Sequence, residues 1–64
     1  MRDYGTALRT LDAAARRGDP QSQYLLGCLN LAGLGTAVDR GQALRLFEQA
    51  ADQGHARAAY ALAA

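Results

Sequence analysis

Residues 3–18 read DYGTALRTLDAAARRG, and residues 39–54 read DRGQALRLFEQAADQG. Slid over one another by 36 positions, Asp3 falls on Asp39 and Gly5 on Gly41. Ala7-Leu8-Arg9 falls on Ala43-Leu44-Arg45, Ala14-Ala15 on Ala50-Ala51, and Gly18 on Gly54. The register continues outward, with Tyr24 over Tyr60 and Leu26 over Leu62. Leu11 against Phe47 and Asp12 against Glu48 are conservative pairs. Alanine matches carry little weight in an alanine-rich chain. The glycine, tyrosine and aspartate matches carry more, because all fall at one offset, and self-similarity at a fixed period marks a repeat architecture.

Each copy has the pattern of a helix. Ala7, Leu8, Leu11, Ala14 and Ala15 share one face, at the spacing of an amphipathic helix. Arg9, Asp12 and Arg16 occupy the other. Asp3 fits an N-cap, where a short side-chain oxygen accepts from the free N–H groups of the first turn. Gly18 fits the residue after the helix, where a left-handed backbone carries no Cβ penalty. These signals predict a helix over 4–17. The second copy predicts one over 40–53, with Asp39 as cap, Ala43, Leu44, Phe47, Ala50 and Ala51 inside, and Gly54 as the stop.

Between the copies, Pro20 opens a second helix predicted over 20–32. Proline suits a first turn, where its missing N–H has no partner to lose. Ser22, Leu26, Leu29 and Gly33 form one arc, and Tyr24, Cys28 and Leu31 the opposite arc. A helix apolar on both sides is packed on both sides. Gly27, inside this helix, costs about 1 kcal/mol against alanine, and a close helix approach explains it. A fourth helix over 56–63 repeats the second. The fold class is therefore all-α: four antiparallel helices, two helix pairs of an α/α solenoid, making a single module over 1–64. Tyr60 and Leu62 on the last helix predict exposed apolar surface. That surface implies either truncation from a longer array or self-association through an uncapped end.

Composition agrees. Half of the 64 residues are hydrophobic, only 6% are aromatic, Val38 is the sole valine and isoleucine is absent. Strands are enriched in β-branched residues, which argues strongly against a sheet. A chain this short buries only about 60% of its unfolded surface, and its core is small. Seven arginines face six acids, for a net charge of +1. Arg9, Arg16, Arg17, Arg45 and Arg57 alternate with Asp12, Asp19, Glu48 and Asp52, as on a solvated helix face. A nucleic-acid binder would cluster its basic excess instead. No run of about 18 apolar residues exists to span a membrane. The start, Met1-Arg2-Asp3, leads straight into a helix pattern with no signal-peptide core. Cys28 has no partner cysteine and suits a reducing compartment. The cytoplasm is the default expectation, with the periplasm or secretion the alternative if a signal lies upstream.

No constellation for catalysis, cofactor or metal emerges. Gly33-Leu34-Gly35 follows a helix, whereas a dinucleotide loop follows a strand, so it is expected to be a solenoid turn. His55 is the only histidine, and with Cys28 it falls short of the three or four ligands of a zinc site. A capping or surface role is expected for it. Cys28 and His55 as nucleophile and base is a weaker reading than packing. The chain is not expected to be an enzyme. Gln21 and Arg57, Tyr24 and Tyr60, and Cys28 and Ala64 are equivalent by repeat. Gln21, Tyr24, Cys28, Arg57 and Tyr60 are the candidate protein-interaction residues, because such a ridge lines the groove of helical arrays and tyrosine is a common anchor. Packing between neighbouring repeats is the competing reading of the same residues.

The stretch from Gly18 to Gly54 resembles the Sel-1-like repeat, a relative of the tetratricopeptide repeat. It carries Gln23-Tyr24 before Leu26-Gly27, then Gly33-Leu34-Gly35. Asp39, Ala43-Leu44, Glu48-Gln49-Ala50-Ala51 and Gln53-Gly54 follow. With the flanking half repeats the resemblance covers nearly the whole chain. Asn30 stands where this family usually has an aromatic residue and Thr36 where it usually has valine. The first departure predicts a thinner, more polar core. Leu46-Phe47 stands where two aromatics are common. The resemblance implies a right-handed α/α superhelix acting as an adaptor or scaffold for an unidentified protein or peptide partner. Bacterial members of the family often act in signalling or host contact. A structural or self-associating module without a peptide ligand is the alternative.

Overall fold

Three aspartates start three helices. Asp3 Oδ1 accepts from the Thr6 N–H at 3.0 Å, Asp19 Oδ2 from Ser22 at 3.1 Å, and Asp39 Oδ1 from Gln42 at 3.0 Å. Each satisfies a first-turn donor that the helix cannot pair internally. In the computed structural model, which describes residues 3–64, these caps open α1 (Tyr4–Arg16), α2 (Pro20–Ala32) and α3 (Arg40–Asp52). The last helix is α4 (Ala56–Ala63). Met1 and Arg2, with which the reading of the N-terminus begins, lie outside the described residues. No strand occurs among the described residues. α1 and α3 each stop one residue sooner than the pattern predicts.

The two helix pairs turn in the same way. At the end of α1, the Gly18 N–H donates to the Ala15 carbonyl and the Asp19 N–H to the Ala14 carbonyl. At the end of α3, the Gly54 N–H donates to Ala51 and the His55 N–H to Ala50. Both are Schellman closures. Gly18 and Gly54 take φ of 95° and 88°, where a Cβ would strain the backbone. The residue after each glycine then caps the next helix, so one short turn reverses the chain and starts its partner.

α2 leads into α3 by a longer turn. Gly33 ends α2 at φ 73°, and the Asp39 N–H returns to the Asn30 carbonyl at 2.9 Å. Gly35 lies so close to α1 that a Cβ there would stand 2.7 Å from Tyr4 Cβ. The segment is therefore a packed solenoid turn.

Two small cores result, and α3 belongs to both. One joins Ala43, Phe47, Ala50 and Ala58, with Tyr24, Cys28, Ala51 and Ala61 at its edge. The other joins Ala15, Leu26 and Leu46, with Leu8 and Leu11 at its edge. Phe47, 3% exposed, is the only phenylalanine of the chain, and its burial contributes about 2–3 kcal/mol. Gly27 makes room for it: a Cβ there would lie 2.7 Å from Phe47 Cε1. Close helix approach is thus the reason for a glycine inside α2.

Two face assignments are corrected. Leu44, expected inside, is 52% exposed, while Leu46 is buried. The equivalent Leu8 is half-buried against the Ala15, Leu26 and Leu46 core, with Gly35 of the α2–α3 turn close to its Cδ1. In α2 the buried set is Ser22, Gln23, Leu26, Gly27 and Asn30, and Leu31 is exposed. Two neutral amides therefore occupy positions that apolar periodicity does not flag.

Candidate functional site

Gln21, Tyr24 and Cys28 recur at i, i+3 and i+7 along α2, one stripe of a 3.6-residue helix. The Tyr24 ring lies 5.7 Å from Phe47, tilted by 40°, and 4.9 Å from His55, nearly stacked at 28°. It is half-buried at the edge of the Phe47 core. Cys28 is half-buried beside it. A hydrogen bond with Cys28 first, then repulsion between their anionic forms and desolvation, raise the Tyr24 phenol above its usual range, while Arg57 pulls the other way. Gln21 is exposed, and its Oε1 meets His55 Nε2 at 2.8 Å. Arg57 and Tyr60 stand on α4, both exposed, Tyr60 by 77%. The structure thus splits the set. Gln21, Tyr24 and Cys28 gather around the start of α4, while Arg57 and Tyr60 face outward from that helix.

His55 ties these parts together. Its Nδ1 accepts from the Ala58 N–H at 3.1 Å, which makes it the N-cap of α4, as expected. A nitrogen that accepts carries no proton in the neutral ring, so Nε2 carries it and donates to Gln21. That link across 34 positions was not visible in the sequence. The repeat places Asp19 at the equivalent position, and only the change from carboxylate to imidazole signals that a second bond is available. With both ring nitrogens engaged, His55 has none left to serve as a base for Cys28.

A second surface opens between the outer helices. α1 and α3 leave a cleft of about 260 Å³ lined by Leu8, Arg9, Asp12, Leu26, Asn30 and Gln42. It adjoins a second hollow that shares Asp12, Leu26 and Gln42 and extends to Gln23 and Gln49. Asn30 is 9% exposed, and its Nδ2 donates to the Leu26 carbonyl at 2.8 Å. A polar group therefore sits in the core at Asn30, beside the cleft. At the other end Gln23, 4% exposed, bridges the outer helices. Its Nε2 donates to the Ala15 carbonyl at 3.2 Å, and its Oε1 accepts from Gln53 at 2.9 Å.

Among the described residues no three His, Cys, Asp or Glu side chains gather as a metal site would need. None of the helices is long and apolar enough to cross a membrane. No curated protein and no solved structure matches the chain. A family model described as Sel1 repeat matches residues 20–55, which takes in α2, the Gly33–Asp39 turn, α3 and the cap of α4. Sel1 repeats are a non-catalytic scaffold family and generally serve as protein-interaction modules. Matched over more than half its length, and folded into helix pairs at a 36-residue period, the chain belongs to the Sel1 repeat family.

Proposed function

We propose that this module binds a protein or peptide partner along the ridge of α2 and α4 formed by Gln21, Tyr24, Cys28, Arg57 and Tyr60. The observation that carries this is the exposure of Tyr60, 77%, one helical turn from exposed Arg57 on α4. A large ring held out in water provides apolar area at a low entropic cost. The balanced charge disfavours nucleic acid, whose binders concentrate positive charge. Unpaired Cys28 suits a reducing compartment such as the cytoplasm.

The test is a peptide-display selection against the chain, followed by amide-shift mapping of the selected peptide. Shifts centred on Gln21, Tyr24, Arg57 and Tyr60, with at least tenfold weaker binding by Tyr60→Ala, are expected. Perturbations confined to the Leu8, Arg9 and Gln42 cleft would refute the ridge.

One observation favours a second reading. Tyr60 and Leu62 are 77% and 37% exposed, whereas their repeat equivalents are half-buried Tyr24 and Leu26 at 4%. The face of α4 therefore fits an α1-type helix, supplied by a further repeat or by a second copy. Its alanine-rich counterpart on α1 offers little apolar area, so a tight dimer is not expected. Light scattering over a dilution series, with a mass that stays dimeric at micromolar concentration, would favour self-assembly.

A further inference from the structure

Of the four helix starts, three use carboxylates and one uses an imidazole. An ionised carboxylate offers only acceptor oxygens, whereas an imidazole that gains a second proton has no lone pair left to accept a backbone N–H. We propose that His55 is a proton-operated latch on α4: neutral, it caps the helix and holds it to α2; protonated, it lets the first turn of α4 go.

The geometry permits little else. Ala58 N–H is a fixed donor, so Nδ1 must offer a lone pair. A second proton would occupy that lone pair and set two donors against each other. It would also place a positive charge at the positive end of the α4 dipole. Nothing in the change disturbs the other side of the ring. Nε2 donates to Gln21 in both states, and the face of Tyr24 at 4.9 Å is a favourable neighbour for a cation. The protonated ring therefore stays with α2, and α4 is the element that loses its partner. α2 contributes Gln21 and Tyr24, with Cys28 one turn beyond. α3 contributes the Ala50 carbonyl to the His55 N–H and ends in exposed Asp52. α4 contributes exposed Arg57, a like charge two residues from the new cation. α4 has only eight residues, too few to persist as an isolated helix.

The test compares the chain with His55→Asp, the residue that the preceding repeat carries at Asp19. Amide protection at Ala58, Ala59 and Tyr60, corrected for intrinsic exchange, is followed from pH 7.5 to 5.5 alongside the imidazole ¹⁵N shifts. A fall of roughly fivefold as the ring titrates is expected in the wild type, the scale of a lost cap, with no such fall in His55→Asp. At neutral pH the ¹⁵N shifts should report the Nε2–H tautomer. Three results overturn the latch: constant protection while the imidazole titrates, an equal fall in His55→Asp, or an Nδ1–H tautomer. The tautomer measurement needs only the wild-type chain, so it decides even if the variant fails to fold.

Discussion

Gly27 and Phe47 show how far one atom matters in a core this small. Alanine at 27 gains about 1 kcal/mol in helix propensity, yet its Cβ would meet Phe47 Cε1 at 2.7 Å and the Ala43 carbonyl at 3.3 Å. Overpacking of that kind costs about 1–3 kcal/mol, which offsets or exceeds that gain, so Gly27→Ala should lower stability by a net of up to about 2 kcal/mol in urea denaturation. Leucine, which stands at the repeat equivalent of Phe47 as Leu11, is the natural smaller replacement for the ring. In a Phe47→Leu background the cost of Gly27→Ala should shrink by at least about 0.5 kcal/mol; a simply additive double mutant would mean that the ring is not what Gly27 accommodates. The sequence announces that Gly27 has a packing reason. It cannot say which ring fills the space, because that depends on how α3 rotates against α2.

Helix starts and stops were the most legible elements, since aspartate, proline and glycine act through bonds only three to five residues away. Asp39→Ala removes the cap of α3 and should cost about 1 kcal/mol, read as a shift in the urea midpoint at unchanged slope. Asp3 carries a pH signature. The Thr6 hydroxyl first, and then the Thr6 N–H, hold its carboxyl below the ordinary 3.8. A group whose folded value is depressed stabilises fully above its unfolded value and loses that contribution as pH falls through the folded one. The Thr6 amide should therefore hold its shift down to about pH 4 and move only below it, in a titration to pH 2. The buried faces were less legible. Leu44 and Leu46 both suit a helix interior, and the choice between them rests on where α2 and the shorter α4 lie. Gln23 reads as a surface residue, because nothing local tells that the Ala15 carbonyl or the Gln53 amide will be waiting for it.

At the scale of the molecule, the repeat sets the order of packing and the departures from it set the surfaces. Asn30 leaves the cleft of about 260 Å³ between α1 and α3. Asn30→Tyr should fill part of it and raise the melting temperature, since filling a cavity commonly adds about 0.5–2 kcal/mol. A lower melting temperature would mean that the Asn30 bond to Leu26 outweighs the void. The two surfaces differ in how far the sequence announces them. Tyrosines at matching repeat positions marked the ridge, but the cleft arises from three helices at once, and no single segment encodes it. Gln23, meanwhile, ties the C-terminal ends of α1 and α3 to the helix between them, through the Ala15 carbonyl and the Gln53 amide. It acts as a rivet set through the middle helix, so a single buried side chain holds both outer helices in register.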